Sequence, residues 1–264
     1  MGRSLAALFD ELGHHVLIAD LDTPLSPDDA AQQADVVIVS VPIDVAVTVI
    51  ERIGPLVRPE GLLMDVTSIK RIPMAAMLAH SRCSVVGTHP LFGPSVHSLQ
   101  GQRVVLCRGR GDAWFDWLRT MFAARGLLLK EASPEAHDQV MSIVQVLTHF
   151  STEVMGRTLA RLGVSIDETL AFTSPVYLME LIMTARHFAQ SPRLYASIQM
   201  NNERSPVVTD AFVRSCAELR DIVAAGDRGA FVRLYEDVRT YFGAFTGQAL
   251  AQSSFLIDRL VERG

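Results

Sequence analysis

Two short segments carry the residue types that do acid–base chemistry. Asp65-Val-Thr-Ser68-Ile-Lys70 and Gly87-Thr-His89-Pro-Leu-Phe-Gly-Pro94 each close an apolar run of strand length, so each marks a strand exit. In an open α/β sheet such exits line the crevice where ligands bind. Ser68 and His89 should then lie close enough for a hydroxyl–imidazole hydrogen bond, which would fix the tautomer of the ring. A histidine held in this way can polarise a substrate hydroxyl, or accept its proton, as hydride leaves the same carbon. A lone histidine is more often structural, but Thr-His-Pro-Leu-Phe-Gly-Pro at a strand end is not typical packing sequence. His89 and Ser68 are therefore the catalytic candidates. Lys70, just past a strand, either reaches substrate or only caps and solvates the loop. His137 opens a helical stretch beside Asp138, where a structural and a catalytic role are equally open. The His14-His15 pair reads as exposed and without chemistry.

The elements that must hold these residues follow from periodicity. Up to about Ser133, short β-branched runs alternate with helix-length amphipathic stretches, the pattern of βαβ units on a parallel sheet. The runs at 15–19, 35–40, 61–65, 84–87, 103–107 and 126–130 are almost continuously apolar, so both faces of their sheet should be covered. Helices are expected at 3–12, 44–53, 72–79 and 112–124, the first ended by Gly13. After Ser133-Pro134 the strand signal stops and apolar residues recur at three- and four-residue spacing. That predicts helices at 134–162, 166–189 with a kink or break at Pro175, 192–201, 205–225 and 228–262. The expected architecture is an α/β Rossmann-like domain over 1–132 and an all-α domain over 133–264.

The first residues, Met1-Gly2-Arg-Ser-Leu-Ala, read as the last glycine and first helix of a dinucleotide-binding turn whose opening strand and earlier glycines are absent. A helix, Gly13, a strand and then Asp20 follow at the spacing that would bring a carboxylate to the adenosine ribose of NAD. Asp20 and Asp22 would repel a 2′-phosphate and so favour NAD over NADP; two solvated acids at a strand–turn junction are the plain alternative. Val39-Ser40-Val41-Pro42 also ends a strand at the crevice edge, where it can lie under the cofactor or be an ordinary strand exit. Because the absent strand is normally central and its glycines admit the pyrophosphate, an N-terminally incomplete chain that binds NAD poorly is expected.

Composition narrows the partners. With 264 residues, 49% hydrophobic and 20% charged, the chain can bury one large core or two small ones. A net charge of -5 with scattered Lys and Arg offers no field for nucleic acid or an anionic membrane surface, which favours a small-molecule partner. Three widely spaced cysteines, Cys83, Cys107 and Cys216, suit reduced thiols in the cytoplasm. No membrane span, signal peptide or metal site is expected.

Val39-Ser-Val-Pro42, Asp65-x-x-Ser68-x-Lys70, Gly87-x-His89-Pro-x-Phe-Gly-Pro94, His137-Asp-Gln139, Leu147-x-His149-Phe150 and Arg186-x-Phe-Ala-Gln-x-Pro192-x-Leu-Tyr195 together resemble the prephenate dehydrogenase family over nearly the whole chain. The resemblance is greatest to the enterobacterial type, whose dehydrogenase portion is fused to chorismate mutase; no mutase segment is seen in this sequence. It implies NAD-dependent oxidative decarboxylation of prephenate to 4-hydroxyphenylpyruvate, on the way to tyrosine, by a homodimer joined through its helical domain. His89 would bond the 4-hydroxyl with Ser68 as its partner, and Arg186 would grip a substrate carboxylate, a role suited to its guanidinium fork. His149 and Tyr195 match pocket-lining positions, though either alone would more often be a packing or interface residue, and Arg186 alone a surface salt bridge. The rival readings are a 4-amino-4-deoxyprephenate dehydrogenase, an arogenate dehydrogenase and, in a separate class, a non-catalytic dimer that binds aromatic ligands.

Overall fold

A computed structural model describes residues 1–93 and 96–262. Pro94, the last residue of the histidine motif, lies outside the described residues. The chain divides into two compact units, one formed by Met1–Ile143 with Arg193–Glu203 and the other by Val144–Pro192 with the chain from Arg204 onward.

The first unit is built on a five-stranded sheet. Its elements run α1 (Gly2–Glu11), α2 (Pro27–Gln33), β1 (Val36–Val39), α3 (Ile43–Ile53), β2 (Leu62–Asp65), α4 (Arg71–His80), β3 (Ser84–Pro90), β4 (Arg103–Arg110), α5 (Asp112–Ala124), β5 (Leu128–Glu131) and α6 (Pro134–Met141). The strands lie in the order β1-β2-β3-β4-β5. Alternating side chains feed two cores. Leu63, Val85, Val105 and Cys107 pack under Ile50, Met74 and Met77 of α3 and α4. Leu62, Met64, Val86 and Leu106 face Leu5, Leu8 and Phe9 of α1 and Phe115, Leu118 and Phe122 of α5. Helices on both faces explain why the strand sequences are apolar without interruption.

Several expectations change. Residues 15–19 form no strand, and Val16 instead packs against the α1–α5 core, although among the described residues the outer edge of β1 carries no other strand. The sheet is not uniformly parallel: β3 and β4 pair antiparallel, while β1–β2, β2–β3 and β4–β5 are parallel. Among the described residues between β3 and β4 there is no crossover helix of the kind a parallel pair requires. The short α2 was not expected, although Ser26 caps it at Asp29 N–H and Pro27 opens it. Gly13 ends α1 as expected, with φ of 83°.

In the helical half, residues 134–162 are not one helix. A π-helical stretch from Ser142 to Leu147 separates α6 from α7 (Thr148–Leu162). Thus the change from strands to helices falls at 132/133, while the first compact unit continues through α6. Next come α8 (Ile166–Ala171) and α9 (Pro175–Phe188); Pro175 opens α9, with Ser174 as its cap. After α10 (Pro192–Met200) and α11 (Ser205–Ala225), the expected 228–262 helix is split into α12 (Arg228–Phe242) and α13 (Phe245–Val261). Gly243 makes the break, with φ 53° and ψ -133°, a conformation that side chains rarely adopt. In the second unit, α7 and α9 pack closely enough that a Cβ on Gly156 would sit 2.3 Å from the Phe188 ring. Phe172, Tyr241 and Leu250 of this unit are exposed. Among the described residues no helix is long and apolar enough to cross a membrane.

Candidate active site

The parallel strands β1, β2 and β3 end on one edge of the sheet, which gathers Ser40, the 66–70 loop and His89 there. His89 lies on β3 and is 3% exposed. Its Nδ1 stands 2.8 Å from Nε2 of His137, with the two rings edge to face. His137 is buried on α6, and its Nδ1 meets Asp138 Oδ1 at 2.7 Å. Asp138 is fixed in turn: its Oδ1 accepts the Lys70 N–H at 2.8 Å and its Oδ2 the Arg71 N–H at 2.9 Å, so it caps α4 from another element.

Burial holds the His89 pKa well below the usual imidazole value, and the neighbouring His137 and Lys70 push it the same way. Burial raises the Asp138 pKa, but hydrogen bonds from His137 and from the Arg71 and Lys70 amides outweigh it and leave the carboxyl below its ordinary range. The site therefore holds an ionised carboxylate, a histidine bonded to it, and a second histidine kept neutral. That second ring is suited to accept a proton rather than to carry one.

Two expectations about this edge are corrected. Among the described residues no hydrogen bond joins Ser68 to His89, and His137 takes the place expected of the hydroxyl. A hydroxyl on a loop can turn to other partners, whereas His137 is held by packing on α6. Lys70 is not placed to touch a substrate. It is fully buried, and its ammonium pairs with the equally buried Asp65 carboxylate, with Thr67 Oγ1 3.4 Å away.

Gly2 lies against Ser40: a Cβ added at Gly2 would be 3.0 Å from Ser40 Oγ, so α1 begins directly beside the exit of β1. No side chain caps the first turn of α1 and no acid sits in it, which suits its amides to an anionic group. Val41 and Pro42 complete the turn into α3. Asp20 is exposed in a turn, where its carboxylate accepts the Leu21 N–H and its amide donates to Thr23 Oγ1. Tyr195 rides on α10, which is anchored to the first unit. Ser197 Oγ and Asn201 Nδ2 donate to Asp44 at 2.6 and 3.1 Å, Asn202 donates to the Asp138 carbonyl, and Ile198 packs on Ile43 and Ile69. In the second unit, His149 of α7 faces His187 of α9, whose Nε2 is 3.1 Å from Glu153. Arg186 is exposed on α9, and among the described residues its guanidinium forms no ion pair.

Residues 14–129 match the prephenate dehydrogenase nucleotide-binding domain, and residues 133–237 match the prephenate dehydrogenase dimerization domain. The chain belongs to the prephenate dehydrogenase family. It is 40% identical over 221 residues to a probable arogenate/prephenate dehydrogenase of Methanocaldococcus jannaschii, a match covering 82% of this chain and 50% of that protein. It is 34% identical to the T-protein of Haemophilus influenzae over 259 residues, 98% of this chain and 69% of that one. It thus spans half the length of the first relative and about two thirds of the second. The solved prephenate dehydrogenase of Aquifex aeolicus shares the fold, with a TM-score of 0.67 over 82% of this chain and 80% of that one at 19% identity.

Two features of the site leave little trace in the sequence. His137-Asp138 was visible as a pair, but nothing in its spacing from His89 showed that α6 folds back onto β3. Asp44, the anchor of α10, carries no local signal; its role appears only when residues more than 150 positions away are brought to it.

Proposed function

We propose that this chain is an NAD-dependent dehydrogenase that oxidatively decarboxylates prephenate to 4-hydroxyphenylpyruvate, working as a homodimer. The observation that carries the reading is His89: a neutral, buried imidazole at the ligand-binding edge of the sheet, hydrogen-bonded behind to a histidine–carboxylate pair. Family membership and the match to a probable arogenate/prephenate dehydrogenase support prephenate as substrate.

NAD, when bound, supplies the hydride acceptor. The structure suits it at the Gly2–Ser40 contact, where a side chain on Gly2 would fill the space beside the uncapped start of α1. Gly2, Ser40, Val41 and Pro42 are assigned to the cofactor, and Asp20 to its ribose. His89 accepts the hydrogen bond of the substrate 4-hydroxyl and takes up positive charge as the C4–H electrons leave as hydride. The electrons of the bond to the ring carboxylate close the aromatic ring as carbon dioxide departs. The hydroxyl proton returns from His89 to the phenol, so no net proton is released. Ser68 is assigned to the same hydroxyl, and Arg186 to a substrate carboxylate through two parallel N–H donors. His149 and Tyr195 are assigned to the substrate pocket.

The test is steady-state NADH formation by the purified chain with prephenate, arogenate and 4-amino-4-deoxyprephenate, each with NAD and with NADP. The reading expects the highest kcat/KM with prephenate and NAD. His89→Asn should lower kcat by about 10²- to 10⁴-fold with little change in KM. Preference for either other substrate, or an unchanged kcat in the variant, refutes the corresponding part.

A further inference from the structure

We infer that His137 and Asp138 are positioning residues that set the tautomer of His89, placing its proton on Nδ1 and its accepting lone pair on Nε2. The inference rests on the reading of His89 as the acid–base group.

The argument begins at Asp138. Its carboxylate already accepts two backbone N–H groups at the start of α4, which can only donate, so its orientation is fixed. At 2.7 Å from an ionised carboxylate oxygen, His137 Nδ1 must carry a proton. The other nitrogen of His137, Nε2, stands 2.8 Å from His89 Nδ1, and two bare nitrogens would repel at that separation. One hydrogen therefore lies between the rings. Placing it on His137 would make that ring a cation fully removed from water, with Asp138 alone to oppose it, since Lys70 and Asp65 already cancel each other. Placing it on His89 leaves both rings neutral. His89 then presents Nε2 as its acceptor, the state a hydrogen-bonded substrate hydroxyl needs. Ser68 could not enforce this choice, because a hydroxyl donates and accepts equally well.

When the substrate hydroxyl shifts its proton onto Nε2, its O–H bond breaks and an N–H bond forms. The Nδ1 hydrogen bond to His137 stays intact, and Asp138 supplies the opposing charge one ring further back. No oxidant or further group is needed.

The experiment is nitrogen-15 NMR of the imidazoles in the chain labelled at histidine, with signals assigned through His89→Asn and His137→Phe. The wild-type protein should show His89 protonated at Nδ1 near neutral pH. His137→Phe should move that proton to Nε2 and lower kcat about 10²- to 10⁴-fold at nearly constant KM, the scale of a wrong tautomer. His137→Gln, whose carbonyl can accept from Nδ1, should restore the tautomer and much of the rate. Wild-type His89 protonated at Nε2 overturns the inference, and that measurement needs no variant to fold. So does a folded His137→Phe protein with an unchanged tautomer. If instead His89→Asn leaves hydride transfer intact while the tautomer is as stated, the proposed function fails and the positioning does not.

Discussion

Replacing Lys70 with Met separates a substrate ligand from a buried structural charge. The Lys70 ammonium and the Asp65 carboxylate are both at 0% exposure. Besides Lys70, Asp65 Oδ2 receives the Thr67 N–H at 3.0 Å and the Thr67 hydroxyl, while Oδ1 has no hydrogen-bond partner among the described residues. Removing the ammonium leaves a carboxylate that is poorly satisfied and sealed from water. A broken buried pair costs about 3–5 kcal/mol, against a total stability of about 5–15 kcal/mol for a typical protein. At about 4 kcal/mol, the ratio of folded to unfolded protein falls roughly 10³-fold. With a urea slope of about 1–3 kcal/mol per molar, the unfolding midpoint should drop by more than about 1 M. The double variant Asp65→Asn, Lys70→Met removes both charges and should recover part of the loss. Urea unfolding followed by circular dichroism, at one fixed protein concentration because association shifts midpoints, measures both variants. A Lys70→Met protein with an unchanged midpoint and a raised KM would refute the structural role and return Lys70 to the substrate, one of the two roles its place just past a strand allows.

Arg186→Ala should raise KM about 30- to 150-fold with kcat nearly constant, the loss of about 2–3 kcal/mol of charged hydrogen bonding made equally in ground and transition states; an unaffected KM places this arginine outside the pocket. Because His89 must be neutral to accept a proton and its pKa is depressed in the empty site, the acid limb of the kcat/KM profile should lie below pH 6.5, and a limb at or above 6.5 contradicts the burial argument. His149 is held at a pKa of about 4, by burial first and by His187 second. Its contribution to stability is therefore complete above about pH 6.5 and is lost as pH falls toward 4, when the unfolded chain takes up a proton that the folded one refuses. The loss is at most about 3 kcal/mol, less whatever its remaining solvent contact screens. Urea midpoints at pH 7 and 4.5 should converge in His149→Gln relative to the parent, and equal pH slopes in both proteins reject the assignment.

Much of the first unit was legible because burial on both sheet faces writes itself into uninterrupted apolar runs, as at Val36–Val39 and Leu62–Asp65. The same signal misled at 15–19, since an apolar run records that a segment is covered, not that it finds a neighbour to hydrogen-bond. A helix start was legible where capping chemistry is local, as with Ser133 and Pro134, and Pro175 marked the division of 166–189. Helix ends were missed where the break depends on a single glycine, Gly243. His89 could be picked out from its motif, but its partner could not. Ser68 was preferred to His137 because it stands closer in sequence and on a neighbouring strand exit. The winning contact spans 48 positions and depends on α6 packing with the sheet unit rather than with the helices that follow it.

That packing also determines the charge balance around His89. Lys70 and Asp65 cancel each other, Asp138 remains as the carboxylate behind His137, and in the inferred tautomer His89 meets the ligand edge uncharged. A site in this resting state carries a net negative charge that is removed when His89 takes a proton. A carboxylate favours a proton on the rings beside it, so the opposition to protonation from bulk solvent comes from burial and not from Asp138. Burial before all keeps His89 unprotonated while it waits. Asp138, acting through His137, lowers the cost of the charge once a hydroxyl is pressed against Nε2. The opposing effects act at different moments: desolvation dominates in the empty site, and the preorganised carboxylate matters when positive charge develops, which is the condition for stabilising a transition state more than a ground state.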